Sequence, residues 1–436
     1  KDIYLTIDSN VQFFIDQAIT NADKDYDWEW FTVTILDAKT GAVLGTSSSP
    51  SFDPNKRDIS NYLDVFAQSP YEPGSTMKTF TYMAAMENGV YDGNETYKSG
   101  VYVTSDGTEI GDWNRSGWGY INYDKGYAMS SNVGVINIIN RHMNSVMLRQ
   151  YFRKLGFGRK TGIELPNESK GKLDFKYETE IYNAGFGQGV TTTPIQNVKA
   201  MTPLTNDGML LKPYLVSKII DPDTGEVILE NKREEIERVA STNTVNKMIS
   251  LMDDCVNGAG NTGSGFRIDG GELIGKTGTA QIANEHGGGY LSGQEDIISS
   301  FLGIYPKSNP QIIIYASDGI AYVRHGVQNS PCNTDEKLMR LHLDKGLSSF
   351  EDEYTQSILD DMKDSKVLMN FLSQVAPTTT PYDWLRRQKV MNSNAHISVA
   401  GVLLYDECPQ ATLPKQSAIK ILRYHTDESE GTRETL

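Results

Sequence analysis

Cysteine is scarce in this 436-residue sequence, which has three, all far apart. Cys255, Cys332 and Cys408 form neither a Cys-x-x-Cys pair nor a zinc-binding spacing, so we expect free thiols rather than a disulfide framework or a metal centre. Apolar runs long enough to span a membrane are also missing, and no signal peptide opens the chain. Because residues 1–7 already have the pattern of a strand, we expect a fragment that lacks its natural N-terminus.

Positive charge and histidine are in short supply as well. The net charge is −15, which argues against non-specific nucleic-acid binding. Only six histidines are present and none lies in a motif, which argues against a hydrolase with a Ser-His-Asp triad. The apolar and charged fractions are ordinary, so we expect a packed core, and the length allows two or three domains.

The stretch 71–80 predicts the start of an apolar helix. Pro73 and Gly74 end an extended segment, and Ser75 then falls in the first helical turn. A helix start offers unpaired backbone N–H groups, which suit a developing oxyanion. Residues three apart share a helix face, so we expect Lys78 to point its amine at the Ser75 hydroxyl and to take its proton. Alone, the Ser-x-x-Lys pattern is weak, since most occurrences lie on solvated helix surfaces.

Two more short motifs follow downstream. Ser130-x-Asn132 alone is more often a helix cap than a catalytic element, and Lys276-Thr-Gly278 alone is a common turn. Together with Ser75-x-x-Lys78, in this order, they match the motif set of the penicillin-recognising serine enzymes. Further matching stretches are 5–8, 162–166, 186–189 and 276–281. Residues 1–317 therefore resemble a class B penicillin-binding protein.

The resemblance implies an α/β (α+β) fold of the penicillin-binding and β-lactamase-like type, in which helices flank a five-stranded antiparallel sheet beside an all-helical lobe. It also implies a serine D,D-transpeptidase that cross-links peptidoglycan stem peptides and is acylated by β-lactam antibiotics, without metal, cofactor or nucleic acid. Such enzymes work at the extracytoplasmic face of the bacterial cell membrane with cell-wall synthesis or division proteins. Two alternatives stay open: a β-lactamase or D,D-carboxypeptidase, and a non-catalytic penicillin sensor or scaffold. Asn132 and the long segment 89–128 favour a transpeptidase.

By the same resemblance, the motif side chains divide the chemistry among them. Ser75 is the nucleophile, Lys78 is the neutral base, and Ser130 relays a proton to the leaving amine. Lys276 would lower the pKa of Lys78 and hold the substrate carboxylate. The backbone N–H groups of Ser75 and Thr279 would form the oxyanion hole. The residues expected to contact substrate are Asn132, Thr277, Gly278, Thr279, Gln281 and Trp113, although Trp113 could equally serve loop packing.

Hydrophobic periodicity predicts the remaining elements of 1–317. Helices are expected from residue 8 or 9, over 146–155, from Pro194, and over 243–256. Strands are expected over 30–36, 42–48, 273–282, 297–305 and 311–317, with a hairpin at 215–228 and an irregular segment at 89–128. The glycine-rich stretch 258–263 matches a dinucleotide fingerprint by letter. It follows a helix and precedes a loop, so we interpret it as a flexible turn.

Beyond residue 317 the transpeptidase pattern ends. The tail, 318–436, reads as a helix at 334–345, acidic helical segments at 351–374, a break at 378–381, a helix at 399–405 and a strand at 419–424. It weakly resembles AlbA/Schlafen-type DNA- or ATP-binding regulators, and we carry no site residue over from them. We therefore expect two domains, with the tail an unrelated segment joined by fusion of two genes or, as the second account, a diverged accessory domain.

Overall fold

The computed structural model describes residues 1–25, 30–52, 55, 64–281, 297–319, 321–325, 328–332, 354–392, 394–409, 422–424 and 433–435. The chain divides into two compact units, Lys1–Thr334 and Asp335–Leu436. The boundary predicted from sequence, after residue 317, falls inside a strand that ends at Gly319.

The helices and strands of the first unit follow in chain order. Its helices are α1 Ser9–Asp25, α2 Lys78–Glu87, α3 Tyr123–Ala128, α4 Asn132–His142, α5 Ser145–Lys154, α6 Glu178–Gly185, α7 Pro194–Thr205 and α8 Thr242–Asn257, with 3₁₀ turns at Gly74–Met77 and Ser264–Phe266. Its strands are β1 Asp2–Leu5, β2 Trp30–Asp37, β3 Val43–Ser49, β4 Thr96–Lys98, β5 Val101–Val103, β6 Glu109–Gly111, β7 Tyr120–Asn122, β8 Met209–Leu211, β9 Val216–Ile220, β10 Val227–Glu230, β11 Glu235–Arg238, β12 Ile274–Gln281, β13 Ile297–Tyr305, β14 Ile312–Gly319, β15 Ala321–His325 and β16 Gln328–Cys332.

A five-stranded antiparallel sheet organises this unit, in the order β12-β13-β14-β2-β3. β2 alternates buried and half-buried residues along its whole length, the period of two expected of a strand. α1 packs against β3 and β2, α7 against β14, and α8 against β12. The predicted sheet flanked by helices is therefore confirmed.

A helical lobe formed by α2, α4, α5 and α6 lies beside the sheet. At its centre is α2, in which every residue from Lys78 to Ala85 is buried. A helix whose residues are buried on every side must be covered by other elements on every side. The serine motif is thus set at the junction of sheet and lobe, because the 3₁₀ turn preceding α2 packs on β12 and β13.

Two sequence predictions for this unit need correction. The segment 89–128 is not irregular: β4 pairs with β7, β5 pairs with β6, and α3 follows. Strands of three residues are too short to show a hydrophobic period, which is why they were missed. Ser75 lies in the 3₁₀ turn Gly74–Met77 rather than in the first turn of the α-helix.

The second unit has a small core of its own. Its described elements are β17 Tyr354–Ile358, α9 Leu359–Met362, α10 Lys366–Val375, α11 Pro381–Arg387, β18 His396–Ser398, α12 Val399–Tyr405, β19 Leu422–Tyr424 and β20 Arg433–Thr435. Leu368, Leu372, Leu385 and Val402 are among its buried residues. The expectation of acidic helical segments over 351–374 was wrong at β17, and the predicted helix 334–345 lies outside the described residues.

Candidate active site

Two glycines allow the turn that carries Ser75 to pack closely against β12. Gly74 has φ +58°, and a Cβ there would lie 2.9 Å from the Thr279 backbone. A Cβ on Gly278 would lie 2.2 Å from Ser300 Oγ and 3.1 Å from the Pro73 carbonyl oxygen. Only glycine allows so close an approach of turn and strand. The half-buried Ser75 is thereby held beside the Lys-Thr-Gly motif.

Lys78 is the first residue of α2, and its side chain is 1% exposed. Its Nζ donates to the Ser130 carbonyl oxygen at 2.5 Å and lies 3.3 Å from Ser130 Oγ. Within the described residues, no hydrogen bond joins Lys78 Nζ to the Ser75 hydroxyl that we expected it to face. Catalytic hydrogen bonds are often long before substrate binds, so this geometry leaves the predicted proton transfer open.

Lys276 reaches the same hydroxyl from the sheet side. It is fully buried in β12, and its Nζ donates to Ser130 Oγ and to the Thr277 carbonyl oxygen, both at 2.9 Å. The ammonium also lies 5.7 Å from the centre of the Tyr127 ring, a cation–π arrangement. Ser130 Oγ therefore contacts two buried lysines at once.

Ser130 itself has an unusual backbone. Its φ is +57°, in the left-handed region that residues with a side chain seldom occupy. Strained backbone of this kind is retained where the surrounding structure imposes it, often at functional sites. The strained residue lies between the end of α3 and the start of α4. Ser131, the next residue, is the N-cap of α4, and its side chain accepts a hydrogen bond from the Gly134 N–H. The turn between the two helices presents Ser130 to both lysines.

Burial lowers the pKa of both lysines, because it disfavours their charged forms. The pKa of Lys78 falls well below its usual range, first through burial and then through the neighbouring charge of Lys276; Asp112 and Cys255 act in the opposite direction. Of the pair, Lys78 is thus the better candidate for a neutral amine and Lys276 for the remaining cation.

Asp112 is a structural residue that the motifs did not reveal. It is 2% exposed, and its carboxylate accepts from Ser131 Oγ at 2.9 Å, from the Val133 N–H at 3.0 Å and from the Gly100 N–H at 2.9 Å. Next to it, the Gly111 carbonyl oxygen accepts from Asn132 Nδ2 at 2.9 Å. A carboxylate with three donors fixes the start of α4, and with it the Ser-x-Asn motif.

These residues meet at one open cleft of about 980 Å³. Eight of the ten residues predicted from sequence line it: Ser75, Trp113, Ser130, Asn132, Thr277, Gly278, Thr279 and Gln281. The other two, Lys78 and Lys276, are buried and contact Ser130. The cleft runs along β12, whose only partner among the described strands is β13.

Trp113 stands at the cleft with 67% of its surface exposed. Its Nε1 donates to the Met129 carbonyl oxygen at 3.0 Å, and its ring lies edge-on to Trp118, with centroids 5.5 Å apart. The indole is therefore both fixed in place and accessible to a ligand.

The fold and the three converging motifs define a penicillin-binding domain. In agreement, the family model described as penicillin binding protein transpeptidase domain matches residues 31–317, and the chain belongs to that family.

Similar proteins support this assignment. Stage V sporulation protein D of Bacillus subtilis is 33% identical over 326 residues, which cover 72% of this chain and 49% of that protein. Penicillin-binding protein PbpB of Mycolicibacterium smegmatis is 31% identical over 327 residues, with the same coverage of 72% and 49%. The crystal structure of penicillin-binding protein 3 from Mycobacterium tuberculosis complexed with aztreonam superposes with a TM-score of 0.67 at 25% identity, covering 79% of each chain.

The chain spans about half the length of the curated relatives that it matches. In the part of it that the structure describes, no helix has both the length and the apolar character needed to cross a bilayer.

Proposed function

We propose that this protein is a peptidoglycan D,D-transpeptidase that works through a Ser75 acyl-enzyme. The observation that carries the proposal is the position of Ser130 Oγ, which contacts two buried lysines beside the cleft that Ser75 lines. A serine hydroxyl needs a neighbouring base to become nucleophilic, and a lysine with a lowered pKa meets that need.

In the first step, Ser75 Oγ attacks the carbonyl carbon between the two terminal D-alanines of a stem peptide. Its proton passes to the neutral Lys78 amine, and the developing oxyanion is held by the backbone N–H groups of Ser75 and Thr279. The close packing of Gly74 on Thr279 supports this pairing of donors. The C–N bond then breaks, and the proton moves from Lys78 through Ser130 to the departing D-alanine amine.

In the second step, the amine of another stem peptide attacks the acyl-enzyme. A new amide bond forms, the Ser75 ester bond breaks, and the proton lost by the amine returns to the Ser75 oxygen. The attack cross-links two strands. Water in place of the amine would give a carboxypeptidase or a β-lactamase, and failure of this step would leave a penicillin sensor.

Substrate recognition is proposed to follow β12. The Lys276 ammonium and the hydroxyls of Thr277 and Thr279 suit the terminal carboxylate, and Asn132 suits a backbone amide. The edge of β12 that no described strand pairs with would accept an extended peptide as an additional strand. Thr279 and Gln281 are exposed on this strand, which supports their role in contacting substrate.

The cellular setting is proposed from relatives. One relative is named peptidoglycan D,D-transpeptidase MrdA, from Acinetobacter baumannii, and solved structures of penicillin-binding protein 3 contain aztreonam or ampicillin. We infer that the chain acts on peptidoglycan stem peptides, binds β-lactams, and works at the outer face of the bacterial cell membrane with cell-wall synthesis or division proteins.

We also propose that residues 318–436 add nothing to this chemistry. Among the residues that the structure describes, those that line the cleft all lie in the range 75–300. The likeness of the tail to AlbA/Schlafen-type regulators and its origin by gene fusion stay predictions.

The test is a thioester donor that carries an N-acyl-D-alanyl group, supplied with and without a D-amino acid as acceptor. Mass spectrometry of the products should show the acyl group joined to the acceptor amine, and Ser75→Ala should abolish that product. Hydrolysed donor alone would reject transpeptidation in favour of a carboxypeptidase. Acylated protein without any product would favour the sensor.

A further inference from the structure

Hydrogen bonds fix the glycine-rich stretch 258–263, which we interpreted from sequence as a flexible turn. Asn261 is buried; its Nδ2 donates to the Asp254 carbonyl oxygen and its Oδ1 accepts from Lys125 Nζ, both at 2.7 Å. The Gly263 N–H donates to the Cys255 carbonyl oxygen at 3.1 Å. This turn therefore joins α8 to α3.

Thr262, the next residue, contacts the neighbourhoods of two catalytic motifs. Its backbone N–H and its Oγ1 both donate to the Ala128 carbonyl oxygen, at 3.2 and 3.0 Å. Ala128 ends α3, two residues before Ser130. The Thr277 hydroxyl donates to Thr262 Oγ1 at 3.3 Å, so the same oxygen reaches the Lys-Thr-Gly strand. Thr262 also lines the cleft.

The three groups form an ordered chain of hydrogen bonds. The Thr277 hydroxyl donates to Thr262, and Thr262 donates to the Ala128 carbonyl oxygen, which can only accept. Because the Thr262 hydroxyl already donates its proton to the Ala128 carbonyl oxygen, Thr262 Oγ1 acts as an acceptor toward Thr277. When a carboxylate takes the Thr277 proton, the Thr262 hydroxyl turns to donate to Thr277 Oγ1, because the Ala128 carbonyl oxygen keeps the Thr262 N–H at 3.2 Å. Thr262 thus holds the Thr277 hydroxyl at the wall of the cleft with and without substrate.

We propose that Thr262 is a positioning residue for carboxylate recognition, acting through Thr277. This inference rests on the proposed transpeptidase function and assigns to Thr262 the task of presenting the Thr277 hydroxyl to the terminal carboxylate of the donor. A side chain without a hydroxyl at 262 leaves Thr277 Oγ1 without this partner, with or without substrate, and free to turn away. Substrates with a terminal carboxylate then react more slowly, whereas analogues without one do not.

The experiment uses the full chain and two forms of one thioester, N-acyl-D-alanyl-thioglycolate with its free carboxylate and the same compound as a primary amide. Thr262→Val keeps the shape and removes the hydroxyl, and Thr262→Ser restores it. Acylation releases a thiol. The rate is measured from the reaction of this thiol with a chromogenic disulfide, which liberates a coloured thiolate. Thr262→Val should slow the carboxylate form by about tenfold, the upper range for one neutral hydrogen bond, and leave the amide form within about twofold of wild type. Thr262→Ser should recover most of the loss.

A double-mutant cycle with Thr277→Val separates positioning from a general packing effect. If Thr262 acts through Thr277, the double variant should react no more slowly than Thr277→Val alone. Thr262→Ala serves as a second variant in case valine disturbs folding, which circular dichroism would show.

Equal slowing of the carboxylate and amide forms, or additive losses in the cycle, would overturn the inference while leaving acylation by wild type intact. Wild-type protein that neither thioester nor penicillin acylates would instead overturn the proposed function, and the inference with it. The two failures are therefore distinguishable.

Discussion

Replacing Lys276 with glutamine should move the pH dependence of acylation. Both lysine nitrogens contact Ser130 Oγ, at 3.3 and 2.9 Å, so they lie at most about 6 Å apart. At an effective dielectric constant of about 20, two unit charges about 6 Å apart repel each other by roughly 3 kcal/mol, so a positive Lys276 disfavours protonation of Lys78. Without that charge the pKa of Lys78 rises, less of the neutral base is present at a given pH, and the acid limb of the rate profile shifts to higher pH.

The assay is the second-order rate of acylation by a fluorescent penicillin, measured across the pH range in which each variant stays folded. Lys276→Arg is the matched control, because it keeps the charge and should keep the acid limb where wild type has it. Lys276→Gln also removes the cation that anchors the substrate carboxylate. This loss lowers the acylation rate at every pH but does not move the acid limb of the pH–rate profile. An acid limb at the same pH in Lys276→Gln and wild type would refute the electrostatic link, leaving burial as the cause of the lowered pKa.

Three further outcomes are expected. Lys78→Arg should lose acylation at every pH, because a guanidinium stays charged, and activity recovered at high pH would contradict the base assignment. Gly278→Ala should lower the melting temperature by the equivalent of about 1–3 kcal/mol and slow acylation, since its Cβ would lie 2.2 Å from Ser300 Oγ; Gly265→Ala, which has open space around its Cβ, is the control and should change neither. Truncation after Thr334 should leave the acylation rate per folded molecule unchanged, and loss of acylation by a truncated protein with native circular dichroism would place the tail in the site.

Most of the fold and most of the site could be predicted from short patterns of neighbouring residues. The alternation of buried and half-buried positions in β2 and the helical stripe of α8 are properties of neighbouring residues, so both elements could be predicted from sequence within about two residues. The motif residues were predictable for a related reason. Each motif is a short string whose chemistry requires particular side chains at fixed spacing.

Long-range contacts account for what sequence reasoning missed. Asp112 gains its role from Gly100, Ser131 and Val133, which reach it only after β5 pairs with β6 and α4 forms. The expectation that Lys78 would face Ser75 came from helical spacing alone. The structure instead places its amine on Ser130, a partner 52 residues away that no local pattern could supply.

The most direct test of the central claim is intact-protein mass spectrometry after incubation with penicillin, followed by peptide mapping. One covalent equivalent should be added, the modified peptide should contain Ser75, and Ser75→Ala should show no adduct while its circular dichroism remains native. An adduct that persists in Ser75→Ala, or one that maps to another residue of the cleft, would contradict the assignment of Ser75 as the nucleophile.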